Sequence, residues 1–215
     1  MAERVVIVDY GSGNLRSAQK AVERTAREAG RAVAVSVTRE ADDIAAADRV
    51  ILPGVGAFAA CKAGLDALPG AVEALEHAVL VAARPFLGIC VGMQLLADRG
   101  LEFGDTPGLG WIAGSVRALE PSDPSLRLPH IGWNAAAGDA ASPFDGVFSA
   151  RRDFYFVHSY HFDADNDAHV IARCDYGGPF AAAVRRDTIL GVQFHPEKSQ
   201  AAGRALLDAF LAWRP

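Results

Sequence analysis

Cysteine is scarce in this chain: three among 215 residues, at Cys61, Cys90 and Cys174. Their number is odd, their spacings are wide and no Cys-x-x-Cys occurs. A disulfide framework and a zinc ribbon are therefore excluded as expectations. Long apolar runs are also missing; none approaches the ~20 residues that span a bilayer. The first apolar run, Val5-Val6-Ile7-Val8, is too short for the core of a secretory signal and reads as a strand. Basic charge is not in excess. Lys plus Arg is 21 against 26 for Asp plus Glu, a net charge of −5. That balance argues against a general nucleic-acid binder. No Gly-x-x-x-x-Gly-Lys-Ser/Thr loop is present. What remains is an ordinary globular composition, 51% hydrophobic and 22% charged. The expectation is one soluble cytoplasmic domain over 1–215, with no membrane segment and a core of its own.

Up to about residue 98, short β-branched runs alternate with segments of helical period. Strands are expected at Val5–Asp9, Val33–Val37, Arg49–Leu52 and Pro85–Ile89. Pro53-Gly54 is expected to stop the third. Helices are expected over 14–29 and 57–83, the latter broken near Pro69-Gly70, and from 92 to 98. This order implies a parallel sheet with helices on both faces. From 108 to 193 the strand candidates come quickly: 110–118, 131–135, 153–158, 168–173, 180–185 and 188–194. Some of them should be antiparallel additions. An amphipathic helix over 199–213 closes the chain, with Leu206, Leu207, Phe210 and Leu211 on one side. The fold class is thus α/β, a three-layer sandwich around a mostly parallel sheet.

Four constellations bear on chemistry. In Gly88-Ile89-Cys90-Val91-Gly92, a buried strand enters, a helix leaves, and glycines stand two before and two after the cysteine. That is the pattern of a nucleophile elbow, with the amide of Val91 facing a developing oxyanion. The bland alternative is a buried cysteine with incidental glycines. His195-Pro196-Glu197 follows a buried strand and supplies a base with an orienting carboxylate; otherwise it is a loop histidine. Pro53-Gly54-Val55-Gly56 is a second oxyanion contributor or an ordinary turn. Asp9-Tyr10-Gly11-Ser12-Gly13 begins like a dinucleotide fingerprint, but Arg16 occupies the third glycine position. His158, His161 and Cys174 lack a fourth ligand at metal spacing, so no metal and no cofactor is expected.

Together, Gly88-x-Cys90-x-Gly92-x-Gln94 and His195-Pro196-Glu197 resemble the class I (triad) glutamine amidotransferases. The resemblance runs almost the whole chain. It extends to Asp9-Tyr10-Gly11-x-Gly13-Asn14-Leu15, Leu128-Pro129-His130-Ile131-Gly132-Trp133-Asn134, Tyr155-Phe156-Val157-His158-Ser159-Tyr160 and Phe194 to Ser199. The segments at 128–134 and 155–160 single out the members that serve histidine biosynthesis. Val91 departs from the leucine usual at its position, and the amide is unaffected. The resemblance implies a flavodoxin-like amidotransferase fold and glutamine hydrolysis by Cys90, His195 and Glu197. It implies an oxyanion hole from Val91 and Val55, with Gly54 and Gly56 letting the segment rearrange. Glutamine contacts are implied for Gln94, Ser159 and Tyr160. The partner implied is a separate (β/α)8-barrel synthase subunit forming a heterodimer, with Lys198, Trp133, Asn134 and Asn14 at the interface. The competing readings are a glutaminase subunit for another synthase and a catalytically silent binding subunit on the same fold.

Overall fold

A computed structural model describes residues 2–138 and 143–215. In chain order, β1 (Glu3–Val8), α1 (Leu15–Glu28), β2 (Val33–Thr38), α2 (Ala41–Ala45) and β3 (Arg49–Gly54) open the fold. They are followed by α3 (Phe58–Asp66), α4 (Ala71–Glu76), β4 (Phe86–Cys90), α5 (Val91–Gln94), β5 (Arg99–Gly100), β6 (Thr106–Pro107) and β7 (Gly114–Ala118). Then come β8 (His130–Ala137), α6 (Asp145–Phe148), β9 (Arg152–His158), β10 (Tyr160–Ala164), β11 (Val170–Asp175), β12 (Pro179–Arg186), β13 (Ile189–Val192) and α7 (Gln200–Ala212).

Nine strands form the main sheet in the order β2-β1-β3-β4-β13-β12-β11-β8-β9. The run from β2 to β13 is parallel and the rest antiparallel. Counting only the parallel strands, this is the flavodoxin-like order. β3 and β4 are buried at every position, as strands covered on both faces must be. α1 buries Ala18, Val22, Thr25 and Ala26, one stripe at helical spacing. It ends at Gly30, whose φ of +65° suits the residue after a helix. α1 and α6 pack with α7, and α2 and α3 pack with α4, so two groups of helices attend the sheet.

Four expectations are corrected. β3 does not stop at Leu52 but runs through Pro53-Gly54. Beyond Ile51 it no longer pairs with β1, and only β4 remains beside it. Pro53 therefore needs no amide on that open side. The helix expected over 92–98 is only four residues long. The carbonyls of Leu95, Leu96 and Ala97 are taken by amides of Leu109, Trp111, Ile112 and Gly110, so they cannot continue the helix. The helical stretch expected over 57–83 is interrupted between Asp66 and Ala71, as Pro69-Gly70 implies, but its second half is not one helix: α4 gives way to a π turn over His77–Val81. Finally, β10 pairs with β7 in a second, four-stranded sheet, β10-β7-β5-β6. The chain leaves the main sheet at His158 and enters the second at Tyr160, so Ser159 is the crossing point.

Candidate active site

β4 lies between β3 and β13, with Gly54 opposite Cys90 and Val192 opposite Ile89. The carboxyl ends of these three parallel strands therefore converge, the usual place for a ligand in such a sheet. Cys90 ends β4 with φ +56° and ψ −113°, a conformation that costs a non-glycine residue energy and marks a functional turn. Glycine is obligatory around it. A Cβ on Gly92 would lie 1.8 Å from the Leu52 carbonyl oxygen, and one on Gly88 2.5 Å from that of Gly92. On Gly54 it would lie 2.6 Å from the Gly92 amide nitrogen. Gly54 is thus required for close approach, while Gly56, with φ +102° and open space around it, is the flexible position. Val91 follows as the first residue of α5, where amides have no helical partner.

His195 stands three residues past β13. Its amide donates to the Tyr155 carbonyl at 2.9 Å, and its carbonyl accepts from the Ser199 hydroxyl at 2.6 Å. Ser199 in turn accepts from the Tyr155 amide, so the turn is clamped to β9. Within the turn, His195 Nδ1 bonds Glu197 Oε1 at 2.9 Å. The two side chains are only 2% and 3% exposed. His195 Nε2 is buried without a hydrogen-bond partner. Burial opposes its charged form, but Cys90 and Glu197 outweigh burial and push its pKa up to about 9. At neutral pH the imidazole is therefore a proton-bearing ring beside the Cys90 sulfur.

In front of these groups opens a cavity of about 460 Å³. Of the residues expected to act there, Cys90, His195, Val91, Val55, Gly56, Gln94, Ser159 and Tyr160 line it. Glu197 stands behind His195, and Gly54 supports the elbow from the rear. Lys198, Trp133, Asn134 and Asn14 lie outside the cavity lining. Lys198 and Trp133 are exposed, and Lys198 lies 5.5 Å over the Tyr155 ring. Asn134 is committed internally, donating to the Asp175 carbonyl at 2.8 Å. Gln94 spends its amide nitrogen on the Tyr160 carbonyl and on Gln193 Oε1, both at 3.0 Å.

Sequence reasoning missed four contributors. Glu102 lines the cavity, with one carboxylate oxygen accepting the Phe58 amide at 2.7 Å. Phe103 stands at its edge, 92% exposed. Gln193 is fully buried beside Cys90. Ser12 accepts the Val55 amide at 3.1 Å and donates its hydroxyl to the Val55 carbonyl. No local pattern marks these residues: Glu102, Phe103 and Ser12 come from segments outside the elbow and the His195 turn, and Gln193, though beside that turn, meets Cys90 across the sheet. Ser12 belongs to the Gly11–Gly13 turn, which packs against Pro53. His158 and His130 form a buried pair at 3.1 Å. Burial lowers the first to about 3 and the second to about 4, so both are neutral at pH 7. Among the described residues no group of three or more His, Cys, Asp or Glu is placed to hold a metal.

The family model of the class I glutamine amidotransferases matches residues 6–212, and the chain belongs to that family. Solved structures share the fold. One glutamine amidotransferase has a TM-score of 0.71 at 20% identity, covering 96% of this chain and 97% of that one. Another, from Thermotoga maritima, has a TM-score of 0.60 at 18% identity, covering 99% and 84%. Within the family the kinship is narrower. The imidazole glycerol phosphate synthase subunit HisH of Rhodospirillum rubrum is 55% identical over 214 residues, 99% of this chain and 100% of that protein. The HisH subunit of Brucella suis is 57% identical over 215 residues, again 99% and 100%. The chain is a member of the HisH family. No helix among the described residues is long and apolar enough to cross a membrane.

Proposed function

We propose that this chain hydrolyses glutamine and passes the ammonia to a (β/α)8-barrel synthase subunit that makes imidazole glycerol phosphate. The observation that carries the chemistry is the partnerless His195 Nε2, buried beside a cysteine held at a left-handed elbow. Cys90 sulfur attacks the side-chain carbonyl carbon of glutamine. The oxyanion is held by the Val91 amide and, after rearrangement, by the Val55 amide. His195 gives its proton to the leaving nitrogen, ammonia departs and a glutamyl thioester remains. Water then adds, its proton goes to His195, and glutamate leaves as the sulfur is released. Glu197 holds the imidazole throughout. Glu102 at the cavity wall suits the α-ammonium of glutamine; Gln94, Ser159 and Tyr160 border its side chain.

Regulation follows from Ser12. Because the Val55 amide is spent on the Ser12 hydroxyl, it is not free for an oxyanion. Docking of the barrel, through Lys198, Trp133 and Asn14 on this reading, would free it. Asn134 supports that surface from within. Three free, buried cysteines suit a reducing cytoplasm. The whole chain, 1–215, then works as one glutaminase domain. The test is glutamate release by the purified chain, with and without a barrel subunit and its nucleotide. Stimulation by the pair, abolished in Cys90→Ala, is expected. Undiminished release by Cys90→Ala overturns the chemistry, and equal rates without the partner overturn the gating.

A further inference from the structure

Resting on that reading, we propose that Gln193 is a further polar group of the reaction centre, donating its side-chain N–H to the Cys90 sulfur when it is anionic. Gln193 is fully buried, and its Nε2 lies 3.7 Å from Cys90 Sγ. The identity of that atom is settled by a chain of bonds. The Tyr160 carbonyl can only accept, so the Gln94 atom 3.0 Å away is its amide nitrogen. The same nitrogen faces Gln193 at 3.0 Å, so the facing atom of Gln193 is its oxygen. The other end of the Gln193 amide, aimed at sulfur, is therefore a donor. The same Tyr160 carbonyl is also reached by a second chain of bonds. Asn134 is oriented by the Asp175 carbonyl and the Ala135 amide, both at 2.8 Å. It presents N–H to His130 Nε2 at 3.3 Å. His130 Nδ1–H then meets His158 Nε2 at 3.1 Å, and His158 Nδ1–H meets the same Tyr160 carbonyl at 2.9 Å.

A donor of fixed direction is useful because His195 changes charge during the reaction. When the thioester collapses, the carbon–sulfur bond breaks and sulfur leaves with the electron pair. A neutral amide stabilises that thiolate with no proton to lose. Among the described residues, the ionisable groups around the sulfur are His195, with Glu197 behind it, Tyr10 and Cys61 across β3, and Glu102, His158 and Tyr160 on the cavity wall.

The test uses the chain assembled with a barrel subunit and its nucleotide. Gln193→Met keeps the volume and removes the donor. The kcat for glutamine should fall about 10- to 100-fold, the range for losing a hydrogen bond to a charged group, while KM stays within about threefold. Half-alkylation of Cys90 by iodoacetamide, read by peptide mass spectrometry, should move about one pH unit upward. Should Gln193→Met fail to fold, Gln193→Asn keeps an amide but withdraws it from the sulfur, and the same two shifts are expected. An unchanged alkylation profile with unchanged kcat overturns the proposal. A wild-type complex that releases no glutamate overturns the glutaminase reading instead, and the alkylation shift then still judges Gln193.

Discussion

Cys90, His195 and Glu197 need one another, and the need is electrostatic. The pKa of His195 is raised from its ordinary 6.5 to about 9. The stabilisation this represents is complete below pH 6.5 and is lost as pH rises through 9. Glu197→Gln removes one cause of the shift. The variant should be about 2 kcal/mol less stable than wild type at pH 6, the scale of a charge-assisted buried hydrogen bond. The gap should close by pH 10, which urea unfolding across that range would measure. These three residues were legible in the sequence because elbow and turn are local patterns. Gln193 and Ser12 were not, since their partners are 103 and 43 residues away.

At the scale of the element, the proposed gating rests on the end of β3. Past Ile51 it has lost β1, and side chains take over its polar groups. Tyr10 hydroxyl donates to the Pro53 carbonyl at 2.7 Å, and Ser12 and the Cys61 thiol both reach the Val55 carbonyl. Bonds to rotatable side chains are exchanged more cheaply than ladder bonds. Ser12→Ala removes the hydroxyl that occupies the Val55 amide. Glutamate release without the partner should rise about two- to tenfold, the worth of one neutral hydrogen bond, while the stimulated rate changes little. A basal rate equal to wild type in a steady-state assay would remove Ser12 from the gate. The extension of β3 through a proline was hidden in the sequence because strand endings depend on neighbours. The shortness of α5 was hidden for the same reason: the amides that end it arrive from residues 109–112.

The whole molecule is closed by Arg49. It is 1% exposed, pairs with Glu3 at 3.0 Å and donates to the Phe210 and Trp213 carbonyls at 2.7 and 2.8 Å. One side chain of β3 thus ties the end of α7 to the start of β1. Arg49→Met withdraws the buried guanidinium, leaving Trp213 and Glu3 only Arg214 and the Phe210 carbonyl only the Trp213 amide, and should cost about 1–3 kcal/mol, discounted because Glu3 is a quarter exposed. A thermal melt unchanged from wild type would refute this. The parallel half of the sheet was legible from alternating period, and so was the presence of antiparallel additions. The second sheet was not: Tyr160 to Ala164 follows the strand expected at 153–158 after the single residue Ser159, with no turn signal to mark a new element.

The histidine pair between β8 and β9 has a spectroscopic consequence. Both rings are held as the Nδ1–H tautomer by the direction of the Asn134-to-Tyr160 chain. Imidazole nitrogens report their tautomer through ¹⁵N chemical shifts. His158, which lines the cavity, and His130 behind it therefore act as paired isotope reporters on the cavity wall, readable without a label in any ligand.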